Sequence, residues 1–333
     1  MAVWSFCEIR GDGPGASALV SCNDDNDMRD ARWFPDAQLN FAENLLRRQD
    51  ESPALVCLDE SGRRRELSHA ELSRQVASLA AHLREIGVVR GDRVAAVLPN
   101  GPEAVIAMLA TTSLGGIWSS CSPDFGTEGI LDRFGQIEPK ILFAVDHYGY
   151  GGKIFETMTR IREVVDGLPS VRETVIASSQ TPAAGVEDLP NARDFDALVN
   201  SNPGAELHFE RFPFDHPIAI LYSSGTTGKP KCIVHGAGGT LLQHMKEHQL
   251  HTNLSKGDKI FYYTTCGWMM WNWLVSALAC EATLILYDGS PFHPDGMRLF
   301  ELIDREAVNV AGVSAKFIDA VAKDQLQPGN AFP

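Results

Sequence analysis

Strand-like apolar segments alternate with amphipathic helical ones from residue 68 almost to the end of the chain, and this alternation constrains the fold more than any other feature. Residues 94–98, 117–120, 141–145 and 174–177 read as short, mostly apolar strands. Strands covered on both faces carry such runs, and joining them in parallel requires crossover helices. The intervening segments have the helical period. Ser68-His-Ala-Glu71 is a capping box, followed by Leu72, Val76, Leu79, Leu83 and Ile86 on one face and stopped by Gly87. Pro102 opens the next helix, whose apolar run reaches Leu114 before Gly115-Gly116. A short earlier helix starts at Asn40, with Glu43 placed to complete its first turn. Further helices are predicted near 128–137 and 154–165. Residues 178–216 are rich in Pro, Asn, Asp and Ser, so they read as an excursion between two α/β blocks. The second block holds predicted strands at 218–222, 232–235, 259–264, 283–287 and 308–313. Its helices fall near 240–251, in the Trp/Met-rich stretch before 283, near 297–306 and at 315–323. The fold class predicted is α/β, with parallel-sheet blocks and flanking helices.

At 333 residues and 44% hydrophobic composition, the chain can bury one large core or two smaller ones. Its formal net charge of −14 argues against nucleic acid or an anionic membrane as a partner, because both would repel it. Arg63-Arg64-Arg65 is the dense basic run, and it reads as a solvated turn. Seven cysteines, at 7, 22, 57, 121, 232, 266 and 280, form an odd, widely spaced set without a Cys-x-x-Cys pair, which fits a reducing, cytoplasmic compartment. Asp24-Asp25-Asn26-Asp27 is the opposite of an Arg-rich transit segment. The longest apolar stretch, residues 271–287, is interrupted by Asn272 and Glu281, so it reads as helix plus strand and no membrane segment is expected.

Leu221-Tyr-Ser-Ser-Gly-Thr-Thr-Gly-Lys-Pro-Lys231 joins two predicted strands through a run of hydroxyls, glycines and lysines. Gly225 and Gly228 permit close backbone approach, and successive N–H groups can form an anion-binding nest. Ser223, Ser224, Thr226 and Thr227 add hydroxyl donors, and Lys229 and Lys231 add charge, so the loop suits phosphate. A Walker P-loop has four residues between its glycines and then Lys-Ser/Thr opening a helix; here the spacing is shorter and Pro230 follows Lys229, so that reading fails. The plain alternative is a polar surface loop with no ligand. His244, His248 and His251 share a helix face at a spacing that can bind zinc, but a core or solvated helix is the favoured reading and no metal ligand is assigned. Gly11-Asp-Gly-Pro-Gly15 mimics part of a dinucleotide fingerprint, yet Pro14 and the lack of a following helical pattern make it a turn.

The order of a strand followed by Ser-Ser-Gly-Thr-Thr-Gly-Lys-Pro-Lys resembles the phosphate-binding signature of the adenylate-forming superfamily. Ala31-Arg-Trp-Phe-Pro35, Leu39-Asn-Phe-Ala-Glu-Asn44, Ile117-Trp-Ser-Ser-Cys-Ser-Pro-Asp-Phe-Gly126, Gly267-Trp-Met-Met-Trp-Asn-Trp273 and Leu286-Tyr-Asp-Gly-Ser-Pro291 narrow the resemblance. Together they are similar to the acetoacetyl-CoA synthetase (acetoacetate–CoA ligase) family over nearly the whole chain. The acetyl-CoA synthetase pattern shares the Gly-Trp but has smaller or polar residues where Met269 and Met270 stand here, which favours a different acyl pocket. The resemblance implies activation of a carboxylate by ATP, with Mg2+, to an acyl-adenylate, then attack by coenzyme A to give thioester and AMP. It implies that Ser223, Ser224, Gly225, Thr226, Thr227, Gly228, Lys229 and Lys231 wrap the β and γ phosphates, with Lys231 the leading charge. Trp268, Met269 and Met270, which by spacing alone read as core, would then flank the acyl site. His235 either approaches the substrate or ends a strand. Tyr150 and Lys153 are the coenzyme A candidates; Tyr150 stands where acetyl-CoA synthetase uses a basic residue, and Lys153 would substitute for it.

The implied organisation is an N-terminal extension over residues 1–66 and an incomplete adenylation domain over 67–333, with α/β blocks at about 67–177 and 218–333. The family's later adenine, ribose and Mg2+ motifs and its C-terminal domain do not appear, so the chain reads as the N-terminal portion of such an enzyme, and no metal ligand is identifiable in it. Small-molecule substrates, neither nucleic acid nor membrane, are the expected partners, in lipid metabolism. Two alternatives stand beside this: a synthetase for acetate or another short acid, and a catalytically inactive portion.

Overall fold

Residues 1–20, 30–178, 183, 185–223 and 228–332 are described in this computed structural model. Helix α1 (Phe41–Leu45) begins where the Asn40 side chain accepts from the Glu43 N–H at 3.2 Å, and strands β1 (Pro53–Asp59) and β2 (Arg64–Ser68) follow as an antiparallel pair. Helix α2 (His69–Glu85) starts as its sequence requires: the Ser68 hydroxyl accepts from the Glu71 N–H at 3.1 Å, a cap worth about 1 kcal/mol. β3 (Arg93–Val97), α3 (Pro102–Ser113), β4 (Ile117–Cys121), α4 (Thr127–Phe134) and β5 (Ile141–Val145) continue the alternation. A hairpin of β6 (His147–Tyr150) and β7 (Lys153–Glu156) precedes α5 (Met158–Asp166), β8 (Glu173–Ala177), β9 (Ala192–Asp194) and α6 (Phe195–Ser201). β10 (Pro217–Ser223) and β11 (Lys231–Gly236) flank the proposed phosphate loop. α7 (Ala237–Lys246), β12 (Lys259–Tyr262), α8 (Met269–Ser276), β13 (Thr283–Asp288), α9 (Arg298–Arg305), β14 (Val310–Gly312) and α10 (Ala315–Lys323) complete the main elements.

Two sheets organise these strands. The larger runs β9-β8-β5-β3-β4-β10-β11 and is parallel except for its last pair; the smaller runs β14-β12-β13-β1-β2 and is likewise parallel except for its last pair. Each sheet therefore draws strands from both ends of the chain. β10 and β11 extend the sheet begun by β3, while β1, from within residues 1–66, pairs with β13, so the blocks at 67–177 and 218–333 do not correspond to separate sheets. Leu72, Val76, Leu79 and Leu83 of α2 are fully buried in the core that joins the layers. Trp118 of β4 and Trp271 of α8 stack with ring centroids 6.4 Å apart in the same core.

Four expectations are corrected. The helix predicted near 154–165 begins only at Met158, because Lys153–Glu156 pairs with β6 instead. The excursion at 178–216 contains β9, which extends the larger sheet, and α6, capped by the Asp194 carboxylate accepting from the Ala197 N–H at 2.8 Å. The helix predicted over 240–251 starts earlier, at Ala237, and its last turn, Glu247–His251, is π-helical. Arg64 and Arg65 are strand residues bound to Glu306 (3.1 Å) and Glu103 (2.7 Å), so of the basic run only Arg63 lies in the exposed turn.

Candidate active site

In the larger sheet, β3 leads toward β4 on one side while its neighbour β5 leads toward β8 on the other. Adjacent strands whose connections diverge open a crevice at their carboxyl ends, the usual ligand position in an open α/β sheet. The smaller sheet points its own strand ends to the same place, with Asp288 of β13 opposite Asp59 of β1. A cavity of about 280 Å³ lies there, lined among others by Asp59, Glu60, Asn100, Glu103, His147 and Asp288. A second, of about 220 Å³, is lined by Ser122, Asp124, Tyr150, Phe155, Tyr263 and Thr265. Tyr148, Gly149 and Asp288 border both cavities, so β6 forms a shared wall. Burial, reinforced by the charges of Asp59 and Glu60, pushes the Asp288 carboxyl up to about 7.

Ser223 and Lys231 are directly paired across β10 and β11, so their side chains leave the same face of the sheet at the mouth of the connecting loop. Leu221, two residues earlier on β10, shares that face and packs against the core that also receives Met270. Ser224, Gly225, Thr226 and Thr227 lie outside the described residues. Gly228 has a positive φ of 97°. Lys229 diverges from Lys231: its ammonium is 3.6 Å from Asp132 of α4, and the next carbonyl, of Pro230, accepts from Gln136 at 2.9 Å. Beneath the loop on the opposite face, Ser119 donates to the Ile220 carbonyl at 2.8 Å and lies 3.2 Å from the Tyr222 hydroxyl. The Arg133 guanidinium covers the rings of Phe125 and Tyr222 at 4.5 and 5.7 Å.

The chain entering α8 is held against the end of β4 by the Ser120 hydroxyl, which donates to the Cys266 carbonyl at 2.7 Å. Beyond that bend Trp268 is 65% exposed and Met269 43% exposed, whereas Met270 is partly buried against the core. Solvent-facing Trp268 and Met269 are thus not ordinary core, contrary to their reading by spacing alone. His235 sits opposite Ala219 near the far end of β11, roughly 13 Å along the strand from Lys231 by ordinary strand rise. Burial lowers its pKa.

The three helical histidines do not converge on a metal. Ser276 donates its hydroxyl proton to the Asn272 carbonyl at 2.8 Å, so its oxygen accepts from His244 Nδ1 at 2.7 Å. His248 Nε2 donates to the Trp273 carbonyl at 2.9 Å, and His251 is exposed. Burial pushes His244 down to about 3 and His248 down to about 4. Among the described residues no group of three or more His, Cys, Asp or Glu is placed to hold a metal ion.

Tyr150 and Lys153 face each other across the hairpin turn, whose Gly151 and Gly152 have φ of +61° and +74°. Positive φ at both central residues is the turn type that matches strand twist, and glycine supplies it without strain. Tyr148 stacks on Phe155 at 5.2 Å, Tyr150 and Tyr263 line the same cavity, and the Tyr263 hydroxyl donates to the Gly289 carbonyl at 2.9 Å. Lys153 projects into solvent. Sequence reasoning assigns no role to Glu60, Asn100 or Asp288, which the fold brings to the crevice from three separate strand ends. The hairpin itself had a readable signal, the two-residue Gly-Gly link between aromatic segments.

The class is set by the family match: residues 41–332 match the AMP-binding enzyme family, and the chain belongs to it. More narrowly, it is similar to the acetoacetyl-coenzyme A synthetase of Rhizobium meliloti (strain 1021), 52% identical over 98% of this chain and 50% of that protein. The acetoacetyl-CoA synthetase of Mus musculus is 46% identical over 89% of the chain and 45% of its own length. In structure the chain matches the acetoacetyl-CoA synthetase from Streptomyces lividans with a TM-score of 0.92 and 44% identity, over 99% of this chain and 50% of that one. The chain spans about half the length of the curated relatives it matches. No helix among the described residues is long and apolar enough to cross a membrane.

Proposed function

We propose that the protein carrying this chain is an acid–thiol ligase that converts acetoacetate, ATP and coenzyme A into acetoacetyl-CoA, AMP and pyrophosphate. The observation that carries this reading is the 52% identity, over 98% of the chain, to a protein named acetoacetyl-coenzyme A synthetase. In the first step an acetoacetate oxygen attacks the α-phosphorus and the bond to the β-phosphate oxygen breaks, so negative charge grows on the leaving pyrophosphate. Preorganised donors at that charge stabilise the transition state more than the ground state. Lys231 and Ser223, leaving one face of the hairpin together, suit that task, with the rest of the 223–228 loop supplying N–H and hydroxyl donors. Lys229, drawn toward Asp132, has the lesser part.

In the second step the thiol sulfur attacks the acyl carbon, AMP departs with the former carboxylate oxygen, and the thiol proton is lost to solvent or a base. Trp268, Met269 and Met270 border the acid, and the β6–β7 hairpin with Tyr150 and Lys153 receives coenzyme A beside the aromatic cavity it lines. ATP enters as its Mg2+ complex; the described residues offer no ligand set for the ion, and no step is assigned to it. A cytoplasmic setting in lipid metabolism is part of the reading, supported by the six described cysteines, all of them free thiols. Incubating the protein with ATP, acetoacetate and coenzyme A tests it: AMP and thioester should appear in equal amounts, and thioester formation with no short acid would sink it.

A further inference from the structure

Glu60 lies in the β1–β2 turn, far in sequence from the hairpin it meets. Its Oε1 accepts from the Gly151 N–H at 2.7 Å and its Oε2 from the Gly152 N–H at 2.8 Å, so one carboxylate spans both residues of the hairpin turn. Oε1 also takes a short hydrogen bond from the Ser290 N–H, just beyond the end of β13. The backbone is shaped around this carboxylate: Gly289 has φ of +144°, and a Cβ there would overlap the Glu60 side chain. Gly152 is closed on its other side, where a Cβ would lie 2.7 Å from the His293 ring. Burial opposes ionisation of Glu60, but donation from Ser290, Gly152 and Gly151 outweighs it and holds the carboxyl below its ordinary range. A carboxylate that accepts several backbone N–H groups is a strong, charge-assisted anchor.

We propose that Glu60 is a positioning residue for the thiol step, clamping the tip of the β6–β7 hairpin to the β13 exit loop so that Tyr150 and Lys153 are presented to coenzyme A in one fixed geometry. This rests on the coenzyme A role proposed above for the hairpin. A hairpin of only two strands is marginal in water by itself, so its order must come from outside contacts. Two bonds meet on adjacent residues of one loop: Gly151 and Gly152 reach Ser290 through Glu60, and Tyr263, which lines the same cavity as Tyr150, donates to the Gly289 carbonyl. Glu60 fixes the turn from which Lys153 projects. Its carboxylate is engaged by the hairpin turn and Ser290, so its loss should weaken the use of coenzyme A more than it slows adenylate formation.

The test compares wild type, Glu60→Gln, Glu60→Ala and Gly152→Ala in the protein carrying this chain, by hydrogen exchange with and without coenzyme A and by the two half-reactions. Glu60→Ala should speed exchange in the 147–156 segment at least tenfold with the β3 segment unchanged, and raise the KM for coenzyme A at least fivefold, a larger factor than its loss of acid-dependent pyrophosphate exchange. Glu60→Gln, which keeps its carbonyl acceptor, should fall between. Gly152→Ala, which displaces the turn against His293 without altering Glu60, should raise the same KM. Unchanged hairpin exchange in Glu60→Ala overturns the clamp; a loosened hairpin with an unchanged KM overturns its role in positioning. If coenzyme A gives the wild-type hairpin no protection while Glu60→Ala still loosens it, the coenzyme A role of the hairpin fails, and with it this proposal, although the clamp itself is real.

Discussion

The Trp271 indole N–H donates to the Asn100 side-chain oxygen at 3.0 Å, tying the loop that leaves β3 to the helix that begins with Met269 and Met270. Both residues are buried, and the Asn100 amide also faces the carbonyls of Thr264 and Tyr287 at 3.4 and 3.5 Å, so one side chain ties α8 to two strand-end segments of the crevice.

Asn100→Leu keeps the branching of the side chain but leaves the Trp271 N–H and two carbonyls without this partner. A buried polar group stripped of its hydrogen bond costs about 1–3 kcal/mol. Urea unfolding should therefore show a loss of that size with little change in slope. Unchanged stability would mean that the contact is not held in solution.

Lys231→Ala should reduce acid-dependent adenylation by a factor of about 100 or more, the usual scale for removing a charge-stabilising donor. Lys229→Ala should cost less than about fivefold, since its ammonium lies beside Asp132 at the surface. Pyrophosphate exchange kinetics check both, and equal losses would contradict the divergence of the two side chains.

Met269 and Met270 separate acid preference from folding. Met269→Ala should change stability by less than about 0.5 kcal/mol because the side chain is largely exposed, while Met270→Ala should cost about 1–2 kcal/mol for its partial burial. The ratio of kcat/KM for acetoacetate over butyrate should shift in both variants. A shift only in Met270→Ala, in proportion to lost stability, would assign that residue to the core.

Low pH should destabilise the region around α7. His244 and His248 are held neutral by burial, at about 3 and about 4, against an unfolded value of about 6.5. Between pH 6.5 and 4 the unfolded chain binds protons that the folded one does not, so these residues contribute stability above 6.5 that is lost as pH falls. Asp288 acts in the opposite sense: its carboxyl, raised to about 7, keeps its proton in the fold, and its contribution falls as pH rises from about 4 to 7. The difference between wild type and His248→Gln isolates the histidine. Denaturation at pH 7, 6 and 5 should give a shallower decline in the variant, by about 1 kcal/mol per unit; parallel curves would show that His248 titrates in the fold.

Local signals were legible where one element carried them alone. Ile141–Val145 is read from its unbroken apolar run, and α2 from the Ser68 cap and the spacing of Leu72, Val76, Leu79 and Leu83. The hairpin was obscured because Ile154, Phe155 and Met158 lie in a run that fits a helical pattern, and Gly151-Gly152 alone marks the turn. α6 was obscured by the polar composition around it, although Phe195, Leu198 and Val199 have helical spacing and are buried. Glu60, Asn100 and Asp288 could not be read at all, because each acquires its place only when strand ends from distant parts of the chain meet. The Ser223–Lys231 pairing lies between these extents: the loop's residue types and the rank of Lys231 were legible, but its place opposite Ser223 and the turn of Lys229 toward Asp132 were not.

The central claim, that this chain serves the activation of acetoacetate by ATP, is tested most directly by acid-dependent exchange of labelled pyrophosphate into ATP, without coenzyme A, in the protein that carries it. Exchange should require acetoacetate, exceed that with acetate at least tenfold in kcat/KM, and collapse in Lys231→Ala. Exchange that is independent of added acid, or that favours acetate over acetoacetate, would contradict the account.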